Sequence, residues 1–426
     1  MENKKAIFRQ IIADFIDSPL PETLPRDIEI PSDVPKIISL VGPRRSGKTH
    51  LLFHLIRSLR QQVESNRLVY VNFEDDRLFP LRLDDMEAFV QAYYERYPSN
   101  KDVLVWFFFD EIQEVPHWEK FIRRLWDTER CRIYLTGSSS KLLSRELASA
   151  LRGRTLPFEV LPLSFAEFLR FNQVEVAPDT SKGKATALHW FDRWLLQGGF
   201  PELVFLPESL HLRTINEYID LMLYRDLAER FAVRQPAAMK YLLKFLMHNL
   251  ANPISLNKVF QDMKSQGYAI SKDTVLDYTS HLEEAFIVFR VDIWHRSVRA
   301  QAVNPSKYYT VDAALKQSTG IGQDWGRLLE NAVFLHLRRQ GIQPYYWREK
   351  QEVDFCWEGG IPINVCWDYS NAATQKREVQ GLLAAMEALD ADEGLLLTRD
   401  QADDLAVGSY KIRIRPAWTY FLGEKI

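Results

Sequence analysis

Cysteine is scarce in this chain: three in 426 residues, Cys131, Cys356 and Cys366, widely separated and without a C-x-x-C pair. They supply neither a disulfide framework nor a zinc module, and they fit a reducing compartment, so a cytoplasmic location is expected. Long apolar runs are missing too. No stretch approaches 18 apolar residues, so no transmembrane span and no membrane partner is expected. Charge of one sign is not in excess. The formal net charge of −3 gives no global nucleic-acid signal, and any DNA or RNA contact would need a local basic patch. Internal repeats and low-complexity tracts are absent. Near the start, Ile7, Phe8, Ile11, Ile12, Phe15 and Ile16 make one helical apolar face interrupted by charges, which fits a docking helix better than a signal peptide.

What remains is an ordinary globular composition, 46% hydrophobic and 26% charged, in a chain long enough for roughly two to four domains. Its most informative stretch is Gly42-Pro43-Arg44-Arg45-Ser46-Gly47-Lys48-Thr49, a G-x-x-x-x-G-K-T phosphate-binding loop. The glycines let the backbone turn its N–H groups toward phosphate oxygens. Lys48 supplies a point charge to the β and γ phosphates, and the Thr49 hydroxyl suits Mg²⁺. An apolar run, Lys36 to Val41, precedes the loop. Leu51, Leu52, Leu55, Ile56 and Leu59 follow at helical spacing, which is the strand–loop–helix context the motif needs. Residues Gly42 to Thr49, with His50, are therefore the expected nucleotide contacts.

A second strand is expected over Leu68 to Phe73 and a third over Val103 to Phe109, the latter running into Asp110-Glu111. Asp110 would hold Mg²⁺ through water, and Glu111 would act as general base on the attacking water. One strand lies between the loop strand and the acidic strand along the chain, and a glutamate directly follows the aspartate. Together these fit an α/β fold of the additional-strand, catalytic-glutamate class, with a parallel sheet and ligands at the strand carboxyl ends. A fourth strand, Arg132 to Thr136, ends in Gly137-Ser138-Ser139-Ser140. Ser138 is the first candidate for a polar sensor of the γ-phosphate, with Thr136 and Ser139 close behind. The serines also suit the cap of a helix starting at Lys141. Arg152 and Arg154, just before a fifth strand over Leu156 to Leu161, are candidate arginine fingers, acting in cis or across a subunit interface.

These motifs, with Asp110-Glu111-Ile112-Gln113, Leu161-Pro162-Leu163-Ser164-Phe165, Gly198-Gly199-Phe200-Pro201-Glu202 and Tyr224-Arg225-Asp226-Leu227, occur in an order that resembles the archaeal and bacterial AAA-type ATPases. The resemblance covers nearly the whole chain. It implies ATP and Mg²⁺ as ligands and divides the chain into a lead-in over 1–35, an ATPase core over 36–168, a helical lid over 169–235, a winged helix over 236–311 and a C-terminal nuclease-like domain over 312–426. It also implies that Pro201 touches the adenine side, although a proline fits a helix start equally well.

In the winged-helix segment, Ser255 to Phe260 opens one helix and Ser271 to Tyr278 the next, with strands at Phe286 to Val291 and Tyr308 to Val311. If the second helix reads DNA, Lys258, Lys264, Lys272, Arg290, Arg296, Arg299 and Lys307 would face phosphates. Asp273, Asp277, Glu283 and Glu284 interrupt that surface and favour protein contact or self-association. The C-terminal domain resembles P-D-(D/E)-x-K nucleases, with Glu330 and Asp354 as acidic residues. Where that pattern needs Glu-x-Lys, this chain has Asn364-Val365-Cys366, so nuclease activity is not expected. The expected function is an ATPase that couples nucleotide state to its other modules. The alternatives are a DNA-processing ATPase with nuclease activity and a slow nucleotide-dependent protein switch.

Overall fold

The computed structural model describes residues 2–138, 149–320, 322 and 324–423. The chain divides into two compact units, Met1–Val160 and Leu161–Ile426.

The first unit is built on a five-stranded sheet of β1 (Ile37–Val41), β2 (Leu68–Asn72), β3 (Val105–Asp110), β4 (Cys131–Gly137) and β5 (Thr155–Glu159), in the order β2-β3-β4-β1-β5. Every pairing in it is parallel. A parallel sheet is covered on both faces, and β1 and β3 are accordingly buried along their whole length. Alternation along β3 sorts its aromatics. Phe107 and Phe109 meet Phe89 of α3 (Asp85–Arg96), and Phe109 also meets Phe121 of α4 (Trp118–Thr128). Phe108 points the other way and joins Ile38, Leu40 and Tyr134 with the apolar face of α2 (Lys48–Leu59). The first helix, α1 (Glu2–Asp17), lies on α3 and on the edge strand β2, with Phe8 against Phe89 and Phe15 against Tyr70. It thereby covers an edge that would otherwise be open to pairing.

The second unit begins with helices: α5 (Phe165–Phe171), α6 (Ser181–Gln197), α7 (Pro201–Phe205) and α8 (Glu208–Leu221). Helix α8 runs straight into a π-helix over Met222–Glu229 that contains the Tyr224–Leu227 motif. Three further helices follow, α9 (Pro236–His248), α10 (Leu256–Ser265) and α11 (Lys272–Glu284). Strands β6 (Val288–Val291) and β7 (Lys307–Thr310) then pair antiparallel. Ser271 caps α11 by accepting from the Thr274 N–H.

The rest is a six-stranded mixed sheet of β8 (Tyr345–Arg348), β9 (Glu352–Cys356), β10 (Ile363–Cys366), β11 (Glu393–Thr398), β12 (Asp403–Val407) and β13 (Tyr410–Pro416), ordered β12-β13-β11-β10-β9-β8. Helix α12 (Trp325–Arg339) precedes this sheet. Helix α13 (Ala372–Leu389) packs on it through Leu382, Ala385 and Met386 against Leu396, Ile412 and Ile414.

Candidate functional site

In the first unit β1, β3 and β4 end side by side, and the loop from Gly42 to Gly47 leaves β1 at that end. Its tight path depends on glycine: a Cβ on Gly42 would lie 2.2 Å from the Val160 carbonyl oxygen, and Gly47 has φ 95°. Arg45 also takes a left-handed backbone, φ 63°. Lys48 is buried and donates to the loop's own Gly42 and Pro43 carbonyls at 3.0 and 2.8 Å. The Ser46 hydroxyl is buried without a hydrogen-bond partner among the described residues. The first of the two loop arginines, Arg44, pairs with Glu74 at 3.0 Å, while Arg45 and His50 are exposed. Arg26, from the lead-in, donates to the Ser46 carbonyl at 2.9 Å and braces the loop from outside.

Asp110 lies beside the loop and is buried. One of its oxygens accepts from Thr49 and from Tyr70, each at 2.8 Å, and the other accepts from Thr136. Burial holds this carboxyl above its usual range and the Glu111 charge adds to that, while the three hydroxyls oppose it. Such a carboxylate, with the Thr49 oxygen next to it, fits a hard divalent cation, whose charge would reverse the effect of burial.

Glu111 follows at φ 52° and ψ 49°, a left-handed conformation that non-glycine residues rarely take and that concentrates at functional sites. Its N–H donates to the Thr136 hydroxyl at 2.9 Å, and its carboxylate accepts from the Gln113 amide. Thr136 therefore bridges both acidic residues. Ser138 is buried one residue beyond β4, and Ser139 lies outside the described residues. Tyr70, Glu74, Gln113 and Arg26 were not singled out by sequence. Tyr70 reaches Asp110 from the neighbouring strand, which only the sheet order reveals, while Gln113 stands two residues from Glu111 within the quoted motif.

The arginines before β5 lie elsewhere. Parallel pairing sets Thr155 beside Ile37, and the Ile37 N–H donates to the Arg154 carbonyl at 2.8 Å. Arg152 and Arg154 thus sit at the amino end of β1, about 13 Å of strand from the phosphate loop. Arg154 forms an ion pair with Asp127. The parallel register thus sets their backbone at the opposite end of β1 from their own loop.

In the second unit, Gly198-Gly199-Phe200-Pro201 forms a buried turn. Asp312 accepts from the Gly199 N–H at 2.7 Å and from the Ala314 N–H at 2.8 Å. Burial pushes this carboxyl up to about 6 against those bonds. The Gly199 carbonyl accepts from the Leu163 N–H at 2.6 Å, so two of the sequence motifs meet here. Pro201 is the first residue of α7.

Lys307 does not face solvent phosphates. It is buried, and its Nζ lies 2.9 Å from each of Glu330, Glu352 and Asp354. That placement corrects the expectation from sequence: β7 turns Lys307 inward toward the C-terminal sheet. Arg290 pairs with Asp292 at 2.7 Å. Asn364 donates to Glu378 and accepts from the Asp354 N–H, and Cys366 is buried.

The family described as AAA domain matches residues 34–169, and a domain of unknown function, DUF8612, matches 188–324. The chain belongs to the AAA-type P-loop ATPases. Among its relatives is the uncharacterized protein MJ1544 of Methanocaldococcus jannaschii, 35% identical over 402 residues, covering 92% of this chain and 88% of the relative. An uncharacterized protein of Haemophilus influenzae is 30% identical over 328 residues, covering 76% and 79%. The solved Aeropyrum pernix ORC2 protein, in ADPNP–ADP complexes, is similar at 12% identity and a TM-score of 0.40, covering 80% of this chain and 94% of that one.

Proposed function

We propose that this protein binds ATP with Mg²⁺, hydrolyses it to ADP and phosphate, and couples nucleotide state to its second unit. The observation that carries this reading is the convergence of Thr49, Asp110 and Glu111 beside the glycine loop, with Thr136 bonded to both carboxylate residues. Loop N–H groups and Lys48 bind the phosphates, Lys48 exchanging its two carbonyl bonds for phosphate oxygens. Thr49 and Asp110 hold Mg²⁺, which when bound neutralises phosphate charge. Glu111 orients the attacking water and accepts its proton, held in place by Gln113 and Thr136. Ser138, at the end of β4, is a second polar contact for the γ-phosphate. Arg152 or Arg154 serves the site of a second copy, consistent with their position in the sheet. Pro201 on the adenine side rests on the family resemblance alone.

Helices α9 to α11 and the β6–β7 pair act as a winged helix. The exposed face of α11 carries Lys272, Asp273, Leu276 and Asp277. Two carboxylates and an apolar side chain there favour a protein partner or a second copy over DNA. The C-terminal sheet acts as a nuclease fold without nuclease activity, since Asn364 and Cys366 replace the residues that chemistry needs.

The test is direct. Lys48→Ala should abolish binding of a fluorescent ATP analogue. Glu111→Gln should keep that binding and lose turnover at least about 100-fold. Turnover in Glu111→Gln close to that of the unmodified protein would sink the assignment.

A further inference from the structure

Buried charges in folded proteins are paired, so a buried charge without a partner calls for a reason. Lys316 is such a residue. It lies on the one-turn helix Ala314–Gln317 and is 5% exposed. Its ammonium makes no hydrogen bond and no ion pair with any described residue. The turn that carries it is well tied. The Thr319 hydroxyl donates to the Lys316 carbonyl at 2.7 Å, and the Gln317 amide donates to the Leu196 carbonyl of α6. Lys316 is therefore not a loose surface arm. The charges that reach its ammonium are those of Asp324 and Arg327, at the start of α12. Burial pushes the amine down, Asp324 opposes that, and the Arg327 charge adds to it.

The start of α12 is itself an incompletely satisfied helix end. The Asp324 side chain caps it by accepting from the Arg327 N–H at 3.2 Å. That leaves the N–H groups of Trp325 and Gly326, which have no carbonyl to bond within the helix. The Asp324 charge is taken up by Arg327, whose Nε lies 3.0 Å from it. The Trp325 ring stacks on Trp367, with centroids 4.8 Å apart and planes at 20°, which fixes this end of the helix. Arg327 also donates to the His248 carbonyl at the end of α9, at 3.5 Å. Two cations against one carboxylate leave a positive charge, and the helix dipole adds to it. We propose that Lys316, Arg327 and the open N–H groups at the start of α12 bind the phosphate group of a small ligand. Phosphate fits because its oxygens accept from an ammonium, a guanidinium and backbone N–H groups at once. The ligand would give Lys316 the counter-charge that the chain does not.

The experiment uses the full chain carrying Lys48→Ala, so that the phosphate loop does not compete for the probe. Inorganic phosphate is titrated calorimetrically at constant ionic strength. A site with a Kd of about 1 mM or tighter is expected. Adding Lys316→Met should weaken it at least about tenfold, and adding Arg327→Gln instead at least about threefold. Phosphate at about 20 mM should raise the melting temperature of the Lys48→Ala chain by about 2 °C or more over sodium chloride of equal ionic strength. That gain should vanish with Lys316→Met. Glycerol 3-phosphate separates the two sources of the group. Binding as tight as phosphate or tighter assigns an ester, and binding about tenfold weaker assigns the free ion. A site that ignores both substitutions belongs to the phosphate loop and bears on that assignment alone. The absence of any site sensitive to Lys316→Met or Arg327→Gln overturns the proposal. If Lys316→Met does not fold, Arg327→Gln decides, and unchanged affinity there overturns it.

Discussion

Asp110 accepts from three hydroxyls, and each came from a different part of the chain. Thr49 was legible because it belongs to a contiguous motif. Tyr70 was not: nothing in a strand sequence says which neighbour its alternate side chains will face, and only the β2–β3 pairing sets Tyr70 beside Phe108 and within reach of Asp110. Ligand-supporting hydroxyls of this kind tune metal affinity by about 10–100-fold. Tyr70→Phe should therefore raise the Mg²⁺ concentration needed for half-maximal ATPase activity by about tenfold. Metal-free nucleotide binding should stay unchanged, and a Mg²⁺ titration of turnover decides it. Thr136 offers a second comparison. It bridges Asp110 and the Glu111 backbone, whereas Ser138 lies beyond the strand end. Thr136→Ala should cut kcat by about 100-fold and Ser138→Ala by less, in steady-state assays at saturating ATP. A larger loss in Ser138→Ala than in Thr136→Ala would make Ser138 the principal sensor.

The elements themselves were largely legible where hydrophobic period and flanking turns agreed. The five core strands, the helix after the loop and the Ser271 cap all follow from local pattern. Less legible was the reason for Gly198-Gly199-Phe200. Sequence tied the motif to the nucleotide only through a resemblance, while in the fold it is a close approach of backbones. A Cβ on Gly199 would lie 2.4 Å from the Leu163 carbonyl oxygen, so Gly199→Ala should cost about 1–3 kcal/mol in denaturant unfolding. Asp312→Ala strands the Gly199 and Ala314 N–H groups and should cost at least as much. On α12, His336 packs against Tyr420 and Phe421. Burial, then the neighbouring Arg339 charge, holds its ring down to about 4. An unfolded histidine titrates near about 6.5. The neutral ring's contribution is therefore full above pH 6.5 and is lost as pH falls toward 4, a change of about 3 kcal/mol. Denaturant unfolding at pH 7 and pH 5 should show His336→Gln losing less stability on acidification than the unmodified chain.

At the scale of the whole molecule, the sheet's register separates the phosphate loop from Arg152 and Arg154, and turnover should then depend on association. Arg154→Ala should lower kcat without weakening ATP binding. Mixing Arg154→Ala with Glu111→Gln should restore part of the activity that neither has alone, because each supplies what the other lacks. No recovery in the mixture, at concentrations where the unmodified chains associate, would rule out Arg154 as a finger in trans. Sequence had set Lys307 on a phosphate-facing surface because a lysine on a short strand beside other basic residues reads as exposed. Its three partners lie 23 to 47 residues away, on elements whose packing no local pattern announces. That burial has a practical consequence. An ion held by carboxylates can be withdrawn by a chelator, diluted away or exchanged for a competitor. A cation carried on the chain is encoded by its gene and delivered with every copy that folds. This corner of the protein should be indifferent to EDTA and to the ionic composition of its surroundings, and only mutation can empty it.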